Sequence, residues 1–237
     1  MQIPDVKDRG YANPQLLAET DWLAEHLTDP NVRVVDARFP NEYANGHVPG
    51  AVNLNGFGTL PRADDGDMAS PEGFAVQAGN LGVSNDMTVV VYDAPDQRMG
   101  MVAWEFMYYG HPDVRILDGG FAKWSREERP VSSEVAEYPT VTFTPTLQNA
   151  IHCSLDRAKA AVDGPKAILW DTRSRAEFEG TQAGYGPPVR MGRIPGAVHL
   201  EFTELFDPDS KTLKPADELH TLLASAGITP ESEINTY

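Results

Sequence analysis

Two pairs of residues, each an aspartate with a nearby arginine, are candidates for chemistry in this chain. Asp36 is followed two positions later by Arg38, and the same spacing recurs at Asp171 and Arg173. A carboxylate and a guanidinium this close can pair with each other or present charge to a ligand. Because both pairs follow short apolar runs, we expect them at the ends of buried strands. An ion pair or a turn hydrogen bond within each motif is the simpler interpretation.

Three further arginines follow the second pair and have no cationic counterpart after the first. They are Arg175, Arg190 and Arg193. The chain has a formal net charge of -16, so an anionic ligand would need a local cluster of cations. We take these three residues together with Arg173 as candidate substrate-binding residues, and solvated surface charge is the alternative.

Cys153 is the only cysteine, which excludes an internal disulfide and a multi-cysteine metal site. It directly precedes Ser154, a candidate helix N-cap, and a structural thiol is the simpler interpretation. His47, His111 and His199 do not have the spacing of metal ligands. The sequence therefore predicts neither a metal nor a cofactor.

Composition narrows the choice of partners. Hydrophobic residues make up 41% of the chain, as in ordinary globular proteins, and the acidic balance disfavours nucleic acid and anionic lipid. The opening residues lack the apolar core of a signal peptide, and no apolar run is long enough to span a bilayer. We therefore expect a cytoplasmic protein that binds small molecules, with no membrane or nucleic-acid partner. The sequence does not predict its oligomeric state.

An internal duplication organises the chain. Residues 46–54 return as residues 192–200 with a shared Pro-Gly-Ala-Val core, and residues 88–92 return as 233–237. The second copy has eleven additional residues, rich in glycine and proline around Tyr185 to Pro188. The duplication predicts a first domain over residues 1–130, a linker over 131–149 and a second domain over 150–237.

Short apolar runs alternate with helical patterns in both copies. Residues 167–170 are continuously apolar, and residues 32–35 are apolar except for Arg33, as in parallel strands buried on both faces. Thr20 and Ser154 are candidate N-caps, and Ser70 before Pro71 opens a later helix. The sequence predicts an α/β fold of two tandem domains, each a mostly parallel sheet flanked by helices.

Four motifs in order resemble the rhodanese family. They are Asp-x-Arg, Gly-His-x-Pro-Gly-Ala at 46–51, Val-Val-Val-Tyr at 89–92, and Asp-Gly-Gly-x-x-x-Trp at 118–124. The opening Gly-Tyr-Ala-Asn-Pro at 10–14 resembles the two-domain thiosulfate sulfurtransferases in particular. This resemblance covers nearly the whole chain. It implies that a cysteine thiolate takes sulfane sulfur from a small anionic donor, thiosulfate, and passes it to an acceptor such as cyanide or a thiol.

By the same resemblance, the nucleophile follows the strand that ends at Tyr92 or Tyr237. In the first copy that position is Asp93, at the start of a loop that reaches Arg98. A carboxylate cannot carry sulfane sulfur, so we expect the first domain to be catalytically dead. In the second copy the position falls immediately after Tyr237. This chain should therefore be inactive by itself, with its second domain truncated before the active loop.

Three alternatives remain at this point. The donor is 3-mercaptopyruvate in one of them, and the loop after Tyr237 would distinguish the two donors. A dual-specificity phosphatase of related fold would need a loop one residue longer than the segment from Asp93 to Arg98. A non-catalytic binding protein built from two inactive rhodanese domains is the third, and an aspartate or serine after Tyr237 would favour it.

Overall fold

The structure, a computed structural model, describes residues 4–55, 68–94, 98–162, 164, 167–184 and 190–237. The chain forms two compact units, of which the first comprises the chain up to Asn149 together with Pro208–Leu213. The second comprises Ala150–Asp207 and Lys214–Tyr237. The sequence-based boundaries assigned Pro208–Leu213 to the second domain, and the structure groups this segment with the first unit instead.

The first unit is built on a five-stranded sheet in which every neighbouring pair of strands is parallel. The strand order is β1-β5-β4-β2-β3. The strands β2 and β4 are almost entirely buried, as their mostly apolar sequences predict. The strands are β1 (Leu17–Ala18), β2 (Val32–Asp36), β3 (Val52–Asn53), β4 (Thr88–Tyr92) and β5 (Val114–Leu117).

Among the described residues of this unit, five α-helices accompany the sheet. The Ser70 cap is confirmed, because its side chain accepts a hydrogen bond from the Gly73 amide at 3.1 Å. The Thr20 cap is wrong: Glu19 is the N-cap, and Thr20 is the first helical residue. The Thr20 hydroxyl instead donates to Glu127, a distant residue that local sequence does not indicate. The helices are α1 (Thr20–His26), α2 (Pro40–Asn45), α3 (Pro71–Asn80), α4 (Arg98–Tyr108) and α5 (Gly120–Arg126).

The segment of residues 131–149, interpreted from its composition as a linker, packs on the first unit. Phe143 is buried against the rings of Phe74 and His111. The amide of Thr146 donates to the carbonyl of Tyr109 at 2.8 Å. The segment therefore closes one side of the core of the first unit.

The second unit contains a three-stranded sheet that repeats part of the sheet of the first unit. Its sheet has the order β7-β6-β8 with parallel pairing, and β6, β7 and β8 correspond to β2, β3 and β4. The Ser154 cap is confirmed by a hydrogen bond from the Arg157 amide to the Ser154 hydroxyl at 3.3 Å. The elements are α6 (Leu155–Val162), β6 (Ala167–Asp171), α7 (Arg175–Glu179), β7 (Val198–His199), α8 (Ala216–Ser225) and β8 (Glu233–Thr236).

The predicted α/β fold of parallel sheets flanked by helices is confirmed in both units. Within the described ranges, no helix is both long and apolar enough to cross a lipid bilayer.

Truncation of Phe143 tests whether residues 131–149 belong to the core. We expect Phe143→Ala to lower the free energy of unfolding by about 3 kcal/mol, because it leaves a cavity beside Phe74. Urea unfolding measures the change. Val135→Ala is the matched control, since Val135 is 72% exposed in the same segment and its truncation should change little. Equal effects of the two substitutions would show that the segment does not contribute to the core.

Candidate active site

The carboxyl end of β6 carries a buried ion pair. Asp171 is fully buried, and Arg173 donates to its carboxylate with Nε at 3.0 Å and Nη2 at 2.6 Å. The Arg173 amide also donates to the same carboxylate at 3.1 Å. Nη2 of Arg173 makes a further bond to the carbonyl of Gly192 at 2.9 Å. The pair therefore joins the end of the central strand to the loop that precedes β7.

The first unit contains the same arrangement. Arg38 donates to Asp36 with Nε at 3.0 Å and Nη2 at 2.6 Å, and Nη2 also reaches the carbonyl of Gly46 at 2.7 Å. Because the same contacts occur in both units, they serve the shared scaffold. Arg173, one of the four candidate substrate-binding residues, is therefore paired with Asp171.

Two tyrosines complete the motif, and sequence analysis did not single them out. Tyr92 donates its hydroxyl proton to Asp36 at 2.7 Å and accepts from the amide of Val48 at 3.0 Å. Tyr237 accepts from the amide of Ile194 at 3.1 Å. The repeat itself was the available signal, because tyrosine occupies the same position in both copies.

The surroundings of Asp171 favour its charged form. Burial, the largest single effect, raises the pKa of this carboxyl, but the hydrogen bonds from the Arg173 side chain and amide and from Tyr237 together outweigh it. The pKa of Asp171 is therefore below its ordinary value. Burial, together with the Asp171 charge, raises the pKa of the Tyr237 hydroxyl.

Two of the candidate arginines meet at one aromatic ring. The guanidinium of Arg193 lies 4.4 Å from the centre of the Phe178 ring and donates to the Phe178 carbonyl at 3.3 Å. The guanidinium of Arg175 lies 5.9 Å from the same ring. Both side chains are exposed, as is Arg190. The glycine- and proline-rich stretch around Tyr185 to Pro188 lies outside the described residues.

The structure also shows how the ends of β4 and β8 are held. In the second unit, the amide and hydroxyl of Thr172 donate to the carbonyl of Tyr237 at 3.1 and 3.0 Å. In the first unit the equivalent bond joins the amide of Ala37 to the carbonyl of Tyr92 at 2.8 Å. The two strand ends are thus held in the same way.

In the first unit the residue that follows β4 is Asp93, which is fully buried. Its carboxylate accepts a hydrogen bond from the amide of Met99 at 2.9 Å, in the first turn of α4. Its carbonyl accepts from the amide of Phe121 and leaves no room for a side chain at Gly120, where a Cβ would lie 2.5 Å away. The side chain of Arg98 is not among the described ones. The side chain at the position after β4 therefore lies against a helix N-terminus, where backbone amides and the helix dipole favour an anion.

Cys153 lies away from the carboxyl end of the second sheet. Arg157 donates both to the carbonyl of His152, next to the cysteine, and to the carboxylate of Glu233, the first residue of β8. The cysteine is thus near the start of β8, and the strand spans roughly 10 Å to its other end. In the parts of the chain that the structure describes, no three metal-ligating side chains are placed to hold a metal ion.

Comparisons with known proteins agree with this geometry. The family model "Rhodanese-like domain" matches residues 19–127. The sulfur carrier protein TtuD of Thermus thermophilus is 37% identical over 96% of this chain and 84% of its own length. A thiosulfate sulfurtransferase of Corynebacterium glutamicum is 31% identical over 92% of this chain and 77% of its own.

A solved structure extends the likeness to three dimensions. The crystal structure of a 3-mercaptopyruvate sulfotransferase from Escherichia coli matches with a TM-score of 0.80 and 30% identity, over 93% of this chain and 87% of that one. The chain belongs to the rhodanese family. The enzyme class that its relatives support is that of the sulfurtransferases, as the motifs had predicted.

Replacement of Asp171 tests the ion pair through its pH dependence. A carboxyl whose pKa is depressed by folding stabilises the fold above its unfolded pKa, about 3.9, and loses that contribution as the pH falls through the folded value. We expect Asp171→Asn to cost about 3 kcal/mol at pH 7, because Arg173 loses its buried partner. The difference from the unchanged protein should shrink below about pH 4.

Urea unfolding from pH 3 to 7 measures this difference. Asp156→Asn is the control, since the Asp156 side chain is 96% exposed. A difference between Asp171→Asn and the parent that stays constant over this pH range would contradict the assigned charge state.

Proposed function

We propose that the protein transfers sulfane sulfur from thiosulfate to a thiophilic acceptor, such as cyanide or a thiol, through a cysteine persulfide. The proposed nucleophile is the residue that follows Tyr237 in the gene product. The first unit is proposed to be inactive because its equivalent residue is Asp93. Family membership supports the class of reaction, and relatives named thiosulfate sulfurtransferase support the choice of donor.

The setting of Asp93 is the observation that carries this proposal. Its buried carboxylate accepts a hydrogen bond from the first turn of the eleven-residue helix α4, and this contact supports an anion-binding setting at the position after β4. A thiolate or a persulfide is an anion that the same setting would stabilise, because amide groups and the helix dipole favour negative charge there. The strand ends at Tyr92 and Tyr237 are held alike, and this likeness supports the same setting for the residue proposed to follow Tyr237.

The proposed reaction has two displacement steps. The thiolate attacks the outer sulfur of thiosulfate, the sulfur–sulfur bond of the donor breaks, and sulfite leaves with the bonding electron pair. The acceptor then attacks the outer sulfur of the persulfide, and the cysteine leaves as a thiolate, ready for another cycle. Neither step has a net oxidation or reduction that would require a cofactor.

Arg175, Arg190 and Arg193 are the proposed cationic residues for the donor. Arg175 and Arg193 share the Phe178 ring, so two exposed positive charges lie close together on the second unit. In a chain with a formal charge of -16, such a cluster gives a doubly charged anion a local site. Arg173 supports this region through Asp171 and the carbonyl of Gly192.

The alternative donor is 3-mercaptopyruvate. The likeness to a 3-mercaptopyruvate sulfotransferase at 30% identity favours it, and arginine binds a carboxylate as well as it binds a sulfur oxyanion. The ratio of kcat/KM for the two donors separates these functions. A ratio in favour of mercaptopyruvate would replace thiosulfate as the donor and leave the persulfide step unchanged.

Sulfite release without an acceptor tests the proposal directly. When the full gene product is mixed with thiosulfate alone, we expect a burst of one sulfite per chain, because the first displacement is complete before the second begins. Cys153→Ser should release the same amount. Absence of a burst would contradict the proposed function, and loss of the burst in Cys153→Ser would move the nucleophile to Cys153.

Neutral variants test the arginines. We expect Arg175→Gln and Arg193→Gln each to raise the KM for thiosulfate about tenfold with little change in kcat, because each removes a charge-assisted contact to the bound anion. Lys159→Gln is the matched control, since it removes an exposed cation from α6 in the same unit. An equal effect of all three substitutions would point to general attraction rather than a site.

A further inference from the structure

A groove of about 390 Å³ lies beside the guanidinium of Arg38, and every residue that lines it belongs to the first unit. Two helices contribute to its walls. Glu42 and Asn45 come from α2, and Phe121 and Ser125 come from α5. Small-molecule sites in proteins have volumes of about 300 to 1,000 Å³. The groove therefore has the size of a site for a small ligand.

Arg38 supplies a hydrogen-bond donor to this groove. Its hydrogen bonds to described residues use its amide, Nε and Nη2, and none of them uses Nη1. The side chain is only 6% exposed, and the ring centre of Phe121 lies 3.8 Å from the guanidinium carbon. The guanidinium is thus fixed by Asp36, Gly46 and Phe121. A fixed guanidinium with N–H groups to spare suits a carboxylate, because the geometry of the contact is already set.

The groove also has an apolar part. Val131 is 51% exposed, and the ring of Phe121 is partly exposed. Gly46 allows Val131 to approach this closely, since a Cβ at position 46 would lie 2.9 Å from Cγ1 of Val131. Covering such apolar surface with an apolar group of a ligand is favourable. The groove therefore fits a ligand that carries a short apolar side chain as well as a carboxylate.

The charges of the groove select further among ligands. Arg38 and Glu42 are the charged residues that line it, and their charges are opposite. Oε2 of Glu42 accepts a hydrogen bond from the amide of Phe39 at 2.9 Å, which leaves the negative charge of the carboxylate in place. Glu42 would repel a doubly charged anion such as thiosulfate, and Arg38 would repel a simple cation. A ligand with both an ammonium and a carboxylate matches the two charges.

We propose that the groove between α2 and α5 binds an α-amino acid with an apolar side chain. The carboxylate accepts hydrogen bonds from Nη1 of Arg38, and the ammonium pairs with Glu42. The side chain of the ligand packs on Val131 and the exposed part of Phe121. This site goes beyond the proposed sulfur transfer and does not depend on it. It gives the first unit a binding function of its own.

The test is a titration of the ¹⁵N-labelled protein with L-leucine, followed by the amide shifts of Gly46, Ser125 and Val131. L-leucine carries both charges and an inert apolar side chain. N-acetyl-L-leucine keeps the carboxylate and lacks the ammonium, whereas L-leucinamide keeps the ammonium and lacks the carboxylate. Glycine keeps both charges and lacks the side chain.

We expect L-leucine to bind with a dissociation constant on the order of 1 mM, because the ligand is small and the groove is open on one side. Each of the two analogues with one charge should bind about threefold to tenfold more weakly, as for the loss of one charged contact near a surface. Glycine should bind more weakly by about the same factor, because it leaves the apolar surface uncovered.

Two variants test the assigned contacts. Glu42→Gln removes the charge and keeps an oxygen that can accept from the Phe39 amide. It should weaken L-leucine binding about threefold to tenfold and should not weaken the binding of N-acetyl-L-leucine. Glu72→Gln is the matched control, since Glu72 is an exposed acid of α3 in the same unit and does not line the groove. Ser125→Trp fills the groove from an exposed position of α5 and should abolish the leucine-induced shifts of Gly46 and Val131.

Several outcomes would overturn the proposal. The absence of saturable shifts at these amides up to about 20 mM L-leucine would remove the site. Equal binding of L-leucine and N-acetyl-L-leucine, or equal effects of Glu42→Gln and Glu72→Gln, would contradict the pairing of the ammonium with Glu42. Unchanged shifts in Ser125→Trp would place the ligand outside the groove. The titration contains no sulfur donor, so its result stands apart from that of the sulfite-release experiment.

Discussion

Both units depend on one constraint, the ion pair between the last residue of β2 or β6 and the arginine two positions later. A carboxylate with no exposed surface needs a partner, and Arg38 and Arg173 supply one for Asp36 and Asp171. Each arginine also holds the carbonyl of a glycine, Gly46 or Gly192, in the loop ahead of the next strand. The direction in which the neighbouring strand presents its following residue depends on these contacts.

The two units share this ion pair but carry different residues at equivalent positions of the repeat. His47 is fully buried, stacks on Tyr43 with ring centres 3.8 Å apart, and has both ring nitrogens within 3.0 Å of backbone carbonyls. Its counterpart Arg193 is exposed and lies on Phe178. One position thus serves packing in the first unit and carries positive charge in the second. The proposed difference at the residue after the strand, Asp93 against a cysteine, follows the same division between scaffold and chemistry.

The sequence predicted features that arise from local patterns. Buried parallel strands are mostly apolar, so β2, β4 and β6 were evident. Ser70 and Ser154 were evident as caps because their hydroxyls bond within a few residues. Thr20 was misassigned because its hydroxyl bonds Glu127, more than a hundred residues away. The grouping of Pro208–Leu213 with the first unit could not be predicted. Hydrogen bonds such as those that Arg126 donates to the carbonyls of Asp209 and Ser210 leave no pattern in side-chain types.

The candidate site was predicted in the same partial way. The Asp-x-Arg pairs and the candidate arginines came from residue type and repetition, whereas the common Phe178 ring beneath Arg175 and Arg193 required coordinates. The tyrosine hydroxyls at Tyr92 and Tyr237 were visible as a repeat, but only the structure shows that they bond the loops before β3 and β7.

The most direct test of the account is the mass of the full gene product before and after thiosulfate, followed by peptide mapping. The account predicts a gain of one sulfur atom, located on the residue that follows Tyr237. No gain of mass, or a gain located on the peptide that contains Cys153, would contradict the claim that the second copy places its nucleophile where the first copy has Asp93.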